Sequence, residues 1–155
     1  PERIAGLVQA GADTPLVTEP LSALVAACRA LGLKRLAFLS PYVADVSGRL
    51  RAALDAQGVA TPVFGSFDEA EEAKVVRIDG GSLISAAEDP CAEPHVDGLF
   101  LSCTNLRTLG VIEALEKSLD IPVLSSNLVL AWHLGQLGNV PVHGPGRLAK
   151  AHTGT

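Results

Sequence analysis

The 155-residue sequence contains no methionine and opens on Pro1-Glu2-Arg3. A natural full-length translation product begins with Met. Either the N-terminus has been removed, or the chain is the ordered part of something longer, or selenomethionines are missing from the sequence as written; the expectation is a fragment. Cysteine is sparse: Cys28, Cys91 and Cys103 make an odd count with no CxxC pair. That fits a reduced, cytoplasmic protein better than a disulfide framework. His95, His133, His143 and His152 fall at no ligand spacing, so no metal site is expected. No glycine fingerprint follows the first strand pattern, which argues against a Rossmann dinucleotide site, and no GxSxG elbow supports a serine hydrolase. No apolar run approaches the roughly 20 residues of a membrane span, and no signal-peptide pattern opens the chain. Basic charge is also short: 12 Lys and Arg against 17 Asp and Glu leave a net charge of -5. Neither nucleic acid nor an anionic membrane is an expected partner.

What is present describes one globular unit. Apolar residues make up 48% of the chain and charged residues 19%, enough for a sizeable core and too short a chain for two ordinary domains. Residues 1–155 therefore read as a single α/β domain. Pro1 to Gly11 suggests a short helix, and Ala12 to Val17 a connecting or short extended segment. Thr18, as N-cap, then starts a helix through Leu21, Leu24, Val25, Cys28 and Leu31 that stops at Gly32. Lys34 to Ser40 reads as a buried strand, Ala44 to Gln57 as a helix with Val46, Leu50 and Leu54 inward, and Val59 to Phe64 as a strand that Pro62 assigns to an edge. An acid-rich loop, Gly65 to Lys74, precedes an extended Val75 to Ile78. Ser82 caps a helix to about Glu88, and Asp89 to Val96 reads as a surface loop containing Cys91. Ile121 to Ser125 is a further strand and leads into a last helix through Leu137. Residues 139–155, rich in Gly, Pro and His, read as a loose tail. Strands alternating with helices predict a three-layer α/β domain with a mainly parallel sheet of about four strands.

The stretch that carries chemistry is Asp97 to Leu115. An apolar strand, Gly98 to Leu101, runs into Ser102-Cys103-Thr104-Asn105, and a helix bearing Leu106, Leu109, Ile112 and Leu115 is expected to follow at once. In an open parallel sheet ligands bind beyond the carboxyl ends of the strands. A thiol there, at a helix start, is expected to act as a nucleophile or a proton-transfer base. Two other strand ends, Ser40-Pro41-Tyr42 and Ser125-Ser126-Asn127, should share that edge. Tyr42 reads either as a rim aromatic or as a neutral donor to a carboxylate or enolate. Ser126 and Asn127 read first as helix caps, Cys28 as core, and His133 as a satisfied packing residue. Arg107 reads as a carboxylate binder, a solvated cation or the partner of a loop acid.

Ser40-Pro41-Tyr42, the run Leu99 to Arg107, Pro122 to Asn127 and Ala131-Trp132-His133 together resemble the aspartate/glutamate racemase superfamily. The branch is that of the maleate isomerases, arylmalonate decarboxylases and ectoine-utilisation proteins, and the likeness runs from Thr14 to Leu137. The resemblance implies a cofactor-free enzyme of two pseudo-symmetric α/β lobes, of which this chain is the second, the first-lobe cysteine motif lying before Pro1. It implies catalytic roles for Cys103, the second-lobe cysteine, and for Tyr42. Ser40, Pro41, Thr104, Asn105 and Glu72 are implied substrate-binding positions. The implied function is isomerisation of a small (di)carboxylate, maleate to fumarate in type. A racemase of the amino-acid or hydantoin kind, an arylmalonate-type decarboxylase and a non-catalytic carboxylate-binding protein are the alternatives. The maleate isomerases carry an asparagine shortly before a Val-x-Arg-Ile run, where this chain has Glu72 and its neighbours. A carboxylate there repels a dicarboxylate and favours an ectoine-pathway or other substrate. Homo-oligomers, dimeric or higher, are the expected assembly.

Overall fold

Four short apolar runs become strands, and all four pair in parallel. They are β1 (Arg35–Ser40), β2 (Ala60–Ser66), β3 (Gly98–Leu101) and β4 (Val123–Ser125), in the spatial order β2-β1-β3-β4. The computed structural model describes residues 2–11, 16–91 and 95–151. From Leu36 onward β1 is buried at every position, and so is β3. That absence of alternation is what a parallel sheet shows when helices cover both faces.

Among the described residues the helices are α1 (Glu2–Gly11), α2 (Pro20–Leu31), α3 (Ala44–Asp55), α4 (Glu72–Val75), α5 (Gly80–Cys91), α6 (Ile112–Leu119) and α7 (Ser126–Gly138). Helix α2 packs against α3 and α7, while α5 packs against β1, β2 and α6, so the sheet lies between two helical layers. Register places Phe64, Phe38 and Phe100 side by side on adjacent strands. The Phe38 ring meets Phe100 edge-on at 5.4 Å and Phe64 at 6.1 Å. This row staples three strands through one face of the sheet; Phe38 and Phe100 are fully buried and Phe64 partly, and full burial of such a ring contributes about 1.5–3 kcal/mol. Among the described residues no helix is long and apolar enough to cross a membrane.

Pro62 does lie on an edge strand. The register slips between Arg35 and Ala37, which pair with Ala60 and Val63, so Thr61 and Pro62 together face one residue of β1. A proline is tolerated at such a bulge because no ladder hydrogen bond is required of it. Arg51 of α3 covers this edge: its guanidinium donates to Thr61 O at 2.8 Å and lies 4.9 Å from the centre of the Phe64 ring.

Several sequence expectations are corrected. The helix expected directly after Cys103 starts only at Ile112; Leu106 is buried in the intervening loop and Leu109 is exposed. Val75 ends the one-turn helix α4 instead of opening an extended segment, because its burial turns the chain inward there. Val46 faces outward and is 56% exposed. Cys91 belongs to α5, whose last turn accommodates Pro90, and is not a loop residue. Glu19, not Thr18, caps α2, accepting from Leu21 N–H and Ser22 N–H.

The described part of the tail is packed, not loose. Leu148, in a 3-10 turn at Leu148–Lys150, is fully buried, and Trp132 Nε1–H donates to Ala151 O at 3.0 Å. Buried Glu116 accepts from Val123 N–H and Arg147 N–H, tying tail to sheet. Residues 12–15 of the expected N-terminal connection, 92–94 of the expected Cys91 loop, and 152–155 lie outside the described residues.

Two outcomes test this packing. Phe100→Ala should lower stability by about 3–5 kcal/mol, read by urea denaturation. Gly146 has φ +78°, and a Cβ there would sit 2.8 Å from Ile112 Cγ2 and 2.9 Å from Glu116 Oε1. Gly146→Ala should therefore release the tail and speed tryptic cleavage at Arg147, with the sheet still folded.

Candidate active site

Register sets the site. Leu39 pairs with Leu101, and Leu101 with Ser125, so β1, β3 and β4 finish level with one another. The chain leaves β1 towards β2 on one side, whereas β3 and β4 lie on the other. The crevice between β1 and β3 is therefore the topological switch point at which open α/β sheets take ligands. Tyr42 stands two residues beyond β1 and Cys103 two residues beyond β3.

The Cys103 turn is tied to both neighbouring strands. On the β1 side Ser102 N–H donates to Leu39 O at 2.8 Å. On the β4 side Cys103 N–H donates to Ser126 Oγ at 3.1 Å, and Asn127 Nδ2 donates to Thr104 O at 2.8 Å. The backbone at Cys103 has φ 155°, a region that residues with a side chain rarely enter. These flanking bonds hold it there.

Within the turn, Asn105 N–H donates to Cys103 Sγ at 3.2 Å. Tyr42 Oη lies 3.1 Å from the same sulfur. The phenol also donates to Glu72 Oε1 at 2.5 Å, while Asn105 Nδ2 donates to Glu72 Oε2 at 2.6 Å. A closed polar ring results, Cys103–Tyr42–Glu72–Asn105. Burial, followed by the bonds to Cys103 and Glu72, pushes the Tyr42 phenol above its ordinary range, so it is a neutral donor. The bonds from Tyr42 and then Asn105 hold the Glu72 carboxyl below its ordinary range, so it is an anion at neutral pH.

The remaining expected site residues divide by role. Ser40 is buried and accepts from Tyr42 N–H and from the Ser47 hydroxyl, so it positions Tyr42. Pro41 O accepts from Glu69 N–H at 2.8 Å, Ser40 O from Phe67 N–H at 3.1 Å, and Tyr42 O from the Ser66 hydroxyl at 2.6 Å. This stitching carries the acidic loop up to the crevice. The Thr104 side chain is exposed beside Cys103. Arg107 is exposed; Asp79 is held below its ordinary range chiefly by Ser82 N–H, with the Arg107 charge as a further cause.

Sequence reasoning missed the service roles of Ser47, Ser126 and Asn127. Ser125, not Ser126 or Asn127, caps α7 by accepting from Leu128 N–H. That leaves the latter two free to brace the Cys103 turn. The only available signal was their surplus: three consecutive cap-type residues where one cap suffices. His133 keeps its packing role, with Nδ1 2.7 Å from Thr18 Oγ1 and its ring stacked on Trp132.

Comparison with known proteins shows the family. The family model described as arylmalonate decarboxylase matches residues 2–149. The chain belongs to that family. Within the racemase-like superfamily, family members similar to it are both isomerases and decarboxylases. The maleate isomerase of Nocardia farcinica is 29% identical over 144 residues, covering 92% of this chain and 57% of the relative. The arylmalonate decarboxylase of Bordetella bronchiseptica is 33% identical over 116 residues, covering 72% of this chain and 47% of the relative. A solved structure of the Nocardia farcinica maleate cis-trans isomerase, a Cys-to-Ser mutant with a covalently bound succinylcysteine intermediate, superposes with a TM-score of 0.85 at 28% identity. That match covers 96% of this chain and 61% of the other. This family member thus spans about half the length of the curated relatives it matches.

The three thiols should separate by reactivity. Burial pushes Cys28 up to about 12 and Cys91 up to about 11, keeping both protonated near neutrality. Brief iodoacetamide treatment at pH 8 followed by peptide mapping should find Cys103 labelled before either. Equal labelling of Cys91 would contradict this order.

Proposed function

We propose that this chain provides the Cys103 half of a cofactor-independent enzyme acting on a small carboxylate, an isomerase of the maleate type. The observation that carries the reading is what meets one sulfur at the switch-point crevice: Asn105 N–H donates to Cys103 Sγ at 3.2 Å, and the Tyr42 hydroxyl lies 3.1 Å from it. Groups placed to stabilise a thiolate also face whatever that thiolate attacks. In the proposed reaction Cys103 Sγ adds to one alkene carbon of the substrate. The π pair moves towards the far carboxylate as an enolate, which neutral donors stabilise as the charge reaches oxygen. Rotation about the former double bond follows. The pair then returns, re-forms the alkene in the trans geometry and expels the thiolate, with no net change of atoms or electrons. A relative solved with a covalently bound succinylcysteine, in a variant with another cysteine replaced by serine, supports thiol addition as chemistry within the family.

A second reading follows from the family's decarboxylase members. There the substrate loses carbon dioxide, leaving its electron pair on carbon, and Cys103 S–H delivers the proton to that carbon. The same Tyr42 donor would stabilise the intermediate enolate. The two readings differ in substrate, not in the residue at the centre.

Both are tested by following maleate loss in the ultraviolet and carbon dioxide release from an arylmalonate. Cys103→Ala should abolish whichever activity is present while leaving the circular dichroism unchanged; substantial residual turnover would overturn Cys103 as the centre. Tyr42→Phe, which removes one donor, should lower kcat/KM by about tenfold or more. Unchanged kinetics would take Tyr42 out of the site.

A further inference from the structure

We propose that Glu72 is the specificity-determining residue of this site, and that it selects a substrate bringing a hydrogen-bond donor or positive charge, not a second carboxylate, beside Cys103. The inference rests on the reading of the Cys103 crevice as a carboxylate site and names which carboxylates it takes.

The argument is one of occupancy. Two neutral side-chain donors belong to the ring around Cys103, the Tyr42 hydroxyl, 3.1 Å from the sulfur, and the Asn105 amide, and both donate to Glu72, one to each oxygen. A carboxylate from the substrate would need those same two donors. It would also approach a carboxylate held ionised by them. Among the described residues the ion pairs engage Glu69, Glu71 and Asp120, not Glu72, so no lysine or arginine offsets its charge. An ionised carboxylate has about four lone-pair sites, and the two protein bonds use two. The remaining capacity is open to an N–H donor. An ammonium, amidinium or amide group satisfies it, whereas a second carboxylate leaves two anions competing for two donors.

Glu72 is also held in this position. Val75, one helical turn further along α4, is fully buried and anchors the segment. Lys74 Nζ lies 2.6 Å from Glu71 Oε1 on the outer side of that turn. The preceding loop is fixed to the end of β1 through Phe67, Glu69 and Ser66. Glu72 therefore reaches the ring from a fixed base.

The test compares maleate with maleamate, the same carbon skeleton with one carboxylate replaced by an amide. Calorimetric titration on the full chain carrying Cys103→Ser removes turnover from the measurement. Maleamate should bind about tenfold or more tighter than maleate. Adding Glu72→Gln should raise maleate affinity about tenfold or more and reverse the order, and Glu72→Ala should do the same. An unchanged maleate-to-maleamate ratio in both variants, with binding retained, overturns the role of Glu72 and leaves the carboxylate site standing. Binding of neither compound to any of these proteins overturns the carboxylate-site reading itself, and this inference with it.

Discussion

Everything at the proposed centre depends on the parallel pairing of β3 between β1 and β4. That pairing levels three strand ends, so Tyr42, Cys103 and Ser126, which are far apart in sequence, meet within hydrogen-bond distance of the Cys103 turn. The pairing in turn depends on apolar runs buried on both faces and on the row of Phe64, Phe38 and Phe100. A one-residue slip of β3 would exchange its two faces. It would put Phe100 out of its row and carry Cys103 away from the phenol. Core packing and site geometry are thus the same constraint seen at two places along the strands.

The site is built with few charges. The sulfur is met by a phenol and a backbone N–H, and the turn that carries it is braced by a hydroxyl and an amide. Neutral donors of this kind stabilise charge that moves during a reaction without holding a permanent counter-ion against the thiol. The exception is Glu72, the residue by which the acidic loop joins the ring, bonded to Tyr42 and Asn105. The unusual φ of Cys103 fits the same picture: the backbone accepts a rarely used conformation, and the bonds to β1 and α7 on either side maintain it.

Much of the fold was legible in the sequence because its signals were local. Apolar runs bounded by turns marked the strands, Gly32 marked the end of α2, and Pro62 marked an edge. Cys103 and Tyr42 were legible as strand-end residues whose types suit nucleophilic and donor roles. What failed depended on distant partners. The loop from Ser102 to Val111 has helical spacing of apolar residues, yet Leu106 finds burial without a helix and Leu109 stays in solvent. The tail read as loose from its Gly and Pro content, but composition does not reveal that both oxygens of Glu116 accept from Arg147 N–H or that Leu148 fills a place in the core. The bond of Glu72 to both Tyr42 and Asn105 joins residues 30 and 33 positions apart. No short-range pattern encodes it.

The treatment of the β2 edge has a consequence for how copies of this chain can meet. An unpaired parallel strand is a template for further strands, and flat open edges recruit them from neighbouring molecules. Here the bulge at Thr61 and Pro62 breaks the row of backbone donors, and the Arg51 guanidinium occupies one of the exposed carbonyls. The sheet is closed to growth on that side by its own side chains. Association by extending the sheet is left to β4, whose three residues offer little length to pair with. Strand addition to this sheet is thus blocked along β2 and short-ranged along β4.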